Sequence, residues 1–388
     1  MKDPEKKKKK RAIALAGGGP AAGLHIGALA ALEEAGIEFD VFALSCIGAW
    51  VGIVYNTRSG KNRAEQTRQF FEANCFRDDR SYSWFPLNLG FATDIQALSQ
   101  AWAKFPHSPD RHWDSLVSPL DIYHSVLKSI ALFSKPGGPT NQEFNYWVLN
   151  DVLAVNPFTR YLTSMIYSSE INGLSKVYYK QSHVLDEVFR APLDGKNMPE
   201  IYHNAWRLPK DKEPGRMQIF HNRPELERPG KDKYLPISRE SLCACSALPY
   251  IEESITMEDG YEYTEGALVD TVNFKNLLRD HDDLDEVWVN RIVDESQVRS
   301  PRSLAGALAN LPMQFAAEVG ENDIKLFRQH LINQSRMRPR VVEIPIQPDT
   351  KVTFEWKHSN LMQGFNEGRE SVMQLLESDK HLRQHNVD

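Results

Sequence analysis

From Arg11 onward, short apolar runs alternate with small-residue turns and helically spaced apolar positions. Ala12-Ile13-Ala14-Leu15-Ala16 reads as a buried strand, broken at once by Gly17 to Gly19 and Pro20. Leu24, Ile26, Leu29, Leu32 and Ala35 then keep helical spacing, and Gly36 stands where a helix leaves its last turn. Val41-Phe42-Ala43-Leu44 is a second apolar strand, followed by a tight turn and a helix with Ala49, Gly52 and Ile53 on one side. This alternation predicts a three-layer α/β/α fold with a mainly parallel central sheet.

Between about Thr57 and Pro214 the pattern fades. The segment is rich in aromatics (Trp84, Phe85, Trp102, Phe105, Trp113, Phe133, Trp147, Tyr161), is interrupted at Pro136-Gly137-Gly138-Pro139, and has a polar loop near Lys210 to Gly215. It reads as a helical, loop-rich insertion whose aromatics either fill a core or line an apolar binding cleft. The sheet is expected to resume at Met217–Phe220, Glu286–Val289 and Val341–Ile344, with helices over about Ser303–Gln334 and Asn360–Ser378. Pro312 is expected to kink or interrupt the first of these helices. The organisation expected is a basic tail over 1–11, a domain over 12–294 carrying the 57–214 insertion, and a helical extension over 295–388 with one further strand.

Composition narrows the classes. A chain of 388 residues with 41% hydrophobic and 25% charged residues suits a globular enzyme, and a net charge of −6 argues against a general nucleic-acid binder. Cys46, Cys75, Cys243 and Cys245 lack the spacing of a metal or disulfide framework, so free thiols in a reducing, cytoplasmic setting are expected, with no metal and no cofactor. The lysines from Lys6 to Lys10 precede too short an apolar stretch for a signal peptide, and no run is long enough to span a membrane. They are a solvated tail or an attachment to anionic lipid, worth about 1 kcal/mol per basic residue near a charged surface.

Three stretches carry candidate chemistry. Gly17-Gly18-Gly19, between strand and helix, can turn backbone N–H groups toward an oxyanion or a phosphate. Gly17, Gly19 and Ala22 also fit a dinucleotide loop, but the acid expected at the end of the next strand is missing, since that strand closes on Leu44-Ser45-Cys46. Cys46 itself occupies the centre of a strand-to-helix turn with Gly48 downstream and Leu44 where a second glycine is usual. It is either a nucleophile or a small buried hydrophobe. Glu265-Gly266-Ala267 places an acid on a turn able to approach another loop closely.

The run Gly17-Gly18-Gly19, Gly23, His25-Ile26-Gly27, Leu29, Ala31 to Ile37, Asp40, Ala43 and Gly48-Ala49 resembles the start of a patatin-like acyl hydrolase domain at matching spacing. Ala244-Cys245-Ser246-Ala247-Leu248-Pro249 and Glu265-Gly266-Ala267 are similar to that family's later segments. The resemblance is close over 12–55 and moderate over about 231–294. It implies hydrolysis of acyl esters, often of lipids, by a serine–aspartate dyad with a glycine-loop oxyanion hole. Here Cys46 and Glu265 stand in the dyad positions, Leu44 replaces the first turn glycine, Ala21 replaces a basic residue, and Asp270 or Thr271 falls where asparagine is common.

A cysteine-dependent ester hydrolase or acyltransferase follows, with Cys46 as nucleophile, Glu265 as base, and Gly17, Gly18, Gly19 and Ile47 around the oxyanion. Its partners would be lipid or other acyl esters, with peripheral membrane contact. The alternative is a catalytically silent fold that binds lipid or a protein partner, favoured by the bulk of Leu44 beside the turn. The helix start favours a Cys46 thiolate by a few tenths to about 1 kcal/mol, and a nearby carboxylate opposes it. His25 is either a second base or a core side chain.

Overall fold

The computed structural model describes residues 9–80, 99–100, 103–104, 118–168, 173–175, 183–195, 198–225, 233–298, 300–301, 304–333 and 339–383. Two compact units are present, Met1–Thr93 with Gly173–Asp388, and Asp94–Asn172.

The strands of the larger unit are β1 (Arg11–Leu15), β2 (Val41–Leu44), β3 (Gly173–Ser175), β4 (Glu200–Arg207), β5 (Arg216–His221), β6 (Leu235–Pro236), β7 (Tyr250–Glu252), β8 (Ile255–Thr256), β9 (Glu262–Glu265), β10 (Glu286–Asn290) and β11 (Arg340–Ile344). A nine-stranded sheet has the order β11-β10-β1-β2-β4-β5-β6, and β9 pairs with β4 and β8. From β11 to β4 the neighbours run parallel; β5 and β9 pair antiparallel with β4.

The helices are α1 (Ala22–Glu34), α2 (Ile47–Thr57), α3 (Arg63–Asn74), α4 (Pro119–Phe133), α5 (Asn141–Trp147), α6 (Pro157–Ser168), α7 (His183–Val188), α8 (Arg239–Cys245), α9 (Phe274–Asp280), α10 (Leu304–Asn333) and α11 (His358–Ser378). Strand alternation divides the core in two. Ile13, Leu15, Phe42, Leu44 and Trp288 face a cluster with side chains of α1, α2 and α11, whereas Ala14, Val41, Ala43, Val287 and Val289 face Phe274, Leu277, Ile324, Phe327 and Leu331. Helices therefore clothe both faces of a mostly parallel sheet, as the alternating pattern predicts.

Two elements differ from the sequence reading. β4 lies inside the stretch read as helices and loops, and it is central in the sheet. Its buried side chains include His203, Asn204 and Arg207, so it lacks the apolar signature of an interior strand. Helix α10 runs unbroken through Pro312. Its buried Met313, Ala317, Ile324, Phe327 and Leu331 supply packing that outweighs the one backbone bond a proline forfeits.

Gly36 ends α1 as expected, at φ 69°, with its N–H donating to Glu33 O (3.1 Å) and that of Ile37 to Leu32 O (2.9 Å). Every residue from Ala22 to Leu32 is buried, because α11 covers the side of α1 turned from the sheet. The two helices touch through backbone. A Cβ on Gly27 would lie 1.9 Å from Phe365 O, and one on Gly368 would lie 2.2 Å from Leu24 O. Lys9 and Lys10 pair with Glu286 (2.6 Å) and Asp283 (2.7 Å), while the remainder of the lysine run lies outside the described residues. Among the described residues no helix is long and apolar enough to cross a membrane.

Candidate active site

β2 ends at Leu44 and the chain reverses into α2 through Cys46, whose φ of 48° and ψ of −123° are unusual for a side-chain-bearing residue. Such a backbone costs on the order of 1–3 kcal/mol and persists only when its surroundings enforce it. The enforcement is visible on every side. Ser45 N–H donates to Leu15 O (3.1 Å), and Gly48 lets α2 start against β1, since a Cβ there would lie 2.2 Å from Leu15 O. Leu44 does not distort the turn. Its methyl groups occupy the space left by Gly52, where a Cβ would be 2.6 Å from Leu44 Cδ2.

Ser45 is turned away from the presented side. Its Oγ donates to Asn204 Oδ1 (2.9 Å), Asn204 Nδ2 donates to Asp270 O (2.8 Å), and Asn273 Nδ2 donates to Leu44 O (3.1 Å). Asn204 and Asn273 escaped the sequence reading. Asn273 had a signal, because it follows closely on Asp270 and Thr271, where an asparagine was expected; Asn204 had none.

Glu265 closes β9 and is opposite Ala205 on β4, two residues beyond the His203 that partners Leu44. Where β2 leaves that edge of β4, β9 takes its place, and the acid arrives beside the turn. Glu265 N–H donates to Ala247 O (3.0 Å), within the segment Ala244 to Pro249 singled out from the sequence. The Glu265 carboxyl lies beside the Cys46 thiol, close enough for each to shift the other's protonation, and its Oε2 has no hydrogen-bond partner among the described residues. Burial raises this carboxyl to about 7.

Burial, followed by the charge of Glu265 and then Cys245, pushes the Cys46 thiol well above the ordinary thiol range. The Ile47 N–H, at the start of α2, opposes this and is outweighed. The thiolate expected from the helix start alone is therefore not the resting form. Cys245, another residue whose proximity the sequence did not reveal, donates its thiol to Cys46 O at 3.6 Å.

The glycine loop meets both. A Cβ on Gly17 would lie 2.9 Å from Ala267 Cβ and 3.3 Å from Cys46 Cβ, so the three motifs touch. Gly17 N–H donates to Thr271 O (3.3 Å), while the amides of Gly18 and Gly19 bond to nothing among the described residues. His25 is fully buried, hydrogen-bonded through Nε2 to Ala16 O (2.9 Å), and lowered to about 4 by burial. That contact fixes it beneath the loop. Trp84, Phe85, Trp102, Phe105 and Trp113 lie outside the described residues. Among the described residues no group of three or more His, Cys, Asp or Glu could hold a metal ion.

Residues 13–278 match the family described as patatin-like phospholipase. Among solved structures, VipD from Legionella pneumophila is similar at 11% identity and a TM-score of 0.38, over 96% of this chain and 67% of that one. Human GIVD cytosolic phospholipase A2 is similar at 10% identity and a TM-score of 0.41, over 97% of this chain and 63% of that one. The chain thus spans about two thirds of the length of either structure. No curated protein matches it.

Proposed function

This chain belongs to the patatin-like phospholipase family, and from that premise we propose that it hydrolyses lipid acyl esters through a covalent acyl-enzyme on Cys46. The observation that carries the reading is the juxtaposition of the Cys46 thiol, on its strained turn, with the buried Glu265 carboxyl.

In this reading Glu265 takes the thiol proton as the sulfur attacks the acyl carbon, so no free thiolate accumulates. A carboxyl raised to about 7 is matched to accepting and returning a proton near neutrality. The oxyanion that forms is held by the open amides of Gly18 and Gly19 and by the Ile47 amide at the start of α2. Gly17, its own amide engaged, supplies the close approach between loop and turn. As the C–O bond breaks, Glu265 returns its proton to the departing alkoxide. Water then attacks the thioester, again giving its proton to Glu265, and the sulfur leaves and is reprotonated. Transfer to another alcohol follows the same steps with that alcohol in place of water.

A silent fold that binds lipid or a protein partner is the second reading. It is favoured by the burial that holds Cys46 as a thiol. Turnover of p-nitrophenyl acyl esters by the native chain, Cys46→Ala and Cys46→Ser separates the two. The hydrolase reading requires native turnover that the alanine variant loses; equal inertness of all three, with no acylation of Cys46, sinks it.

A further inference from the structure

Among the described residues of the smaller unit, one helix carries a face that their packing leaves open. One side of α4 is engaged with the chain at and beyond α5. Ser125 Oγ donates to Asp151 O, Lys128 pairs with the Asp151 carboxylate (2.9 Å), and Trp147 Nε1 donates to Ser129 Oγ (2.8 Å). The other side bears Leu120, Tyr123, Val126, Leu127 and Ile130, while Phe133 at its end packs edge-on against Trp147 (4.9 Å between centroids). By helical geometry these five fall on one arc roughly 120° wide. Their side chains are in solvent: Leu120 is 63% exposed, Tyr123 and Ile130 59%, Leu127 47%. Lone exposed apolar residues are ordinary, but a contiguous stripe marks an interaction site.

Charge identifies the occupant. Between Ser118 and Ser168 the charged residues are Asp121, Lys128, Lys135, Glu143, Asp151 and Arg160. All are consumed in mutual pairs, Lys128–Asp151 (2.9 Å), Lys135–Glu143 (2.6 Å) and Arg160–Asp121 (3.0 Å). The segment has no net charge with which to attract an anionic membrane or a charged protein partner. An apolar arc on a charge-neutral helix suits a surface that is itself apolar beneath and neutral above. Tyr123 on the arc and the exposed Tyr146 after it have the amphipathic rings that settle at headgroup level.

We propose that this face of α4 docks the protein on electrically neutral, zwitterionic lipid bilayers, with the apolar arc inserted at the interface. The proposal rests on the reading of the chain as a lipid acyl hydrolase, because it brings the protein to the phase that holds such a substrate. It predicts binding driven by buried apolar area and indifferent to salt.

The test is flotation of the full chain with phosphatidylcholine vesicles, with and without phosphatidylserine, at low and high salt. The expected result is flotation that salt and phosphatidylserine leave unchanged, reduced at least about tenfold in Leu127→Glu/Ile130→Glu. As a second measurement, an environment-sensitive dye on Leu127→Cys should shift to shorter wavelength when the vesicles are added, and the same dye on Lys61→Cys should not. Failure of the native chain to float, flotation only on anionic vesicles and lost in salt, or unchanged flotation of the double variant overturns the proposal. So does a native dimer that the double variant converts to monomer without altering flotation, which would assign the face to a second copy. Turnover of a soluble short-chain ester by the native chain and by Cys46→Ala tests the hydrolase reading separately.

Discussion

The Cys46 thiol and the Glu265 carboxyl lie side by side because two strands share one edge of β4, Leu44 pairing with His203 and Glu265 with Ala205. A residue at the end of one strand and an acid at the end of another, far apart in the chain, are thereby fixed on a single backbone ruler. The pair is also electrostatically opposed, since an ionised Glu265 disfavours an ionised Cys46.

Glu265→Gln removes that opposing charge. Alkylation of Cys46 by iodoacetamide at pH 8, followed by peptide mass spectrometry, should accelerate by about tenfold, the change in thiolate fraction for one unit of pKa. An unchanged or slower rate would mean that burial alone holds the thiol.

Ester turnover should rise with pH to a midpoint near 7, where Glu265 becomes an ionised base. Glu265→Gln should lose the rise and about 10²–10⁴ in kcat/KM. A profile with its midpoint at the ordinary glutamate value of 4.5 would show that the carboxyl is not buried during catalysis.

Stability should carry the same signature. Glu265 and Asp323 are raised from 4.5 and 3.8 to about 7, Glu265 by burial and Asp323 by burial and then Asp270. Asp323 accepts from the backbone N–H groups of Thr271 (2.8 Å) and Val272 (3.2 Å). Below the unfolded values both groups are protonated in either state, and their protonated forms contribute their full stability. As pH climbs toward 7 the unfolded chain ionises first and that contribution disappears. The melting midpoint should therefore fall between about pH 4 and 7 from these groups and flatten above. Glu265→Gln should raise the unfolding free energy at pH 8 but not at pH 4, by up to about 3 kcal/mol, and the midpoint with it.

Leu44 and Gly52 should behave as one unit. Gly52→Ala drives a methyl into the Leu44 side chain, for a loss of about 1–3 kcal/mol. Leu44→Ala costs about 2–5 kcal/mol by leaving a cavity. Urea unfolding of the double variant should show a loss clearly smaller than the sum; simple additivity would mean that the two do not share space.

The beginning of the fold was legible because its signals are local. β1, the glycine loop, α1 with its terminal Gly36, and the turn at Cys46 each announce themselves within a dozen residues. The candidate pair was legible only through resemblance, since nothing near Glu265 marks it as Cys46's neighbour. β4 was hidden by its own contents. Its buried His203 bonds Ser241 through Nε2, and Asn204 bonds Ser45 and Asp270, partners that distant segments provide. Leu44 looked like a defect because its remedy, Gly52, lies in the second turn of the next helix and reads from the sequence as an ordinary small residue.

The bare backbone crossing of α1 and α11 has a temporal meaning. During translation the glycine loop and α1 leave the ribosome well before the helix that clamps α1, because Ala22–Glu34 lies far upstream of His358–Ser378. Until then α1 has an open flank, and the loop it carries lacks its final support. The loop beside Cys46 thus gains its full support only once His358–Ser378 has been made, which ties the candidate site to distant sequence in time as well as in space.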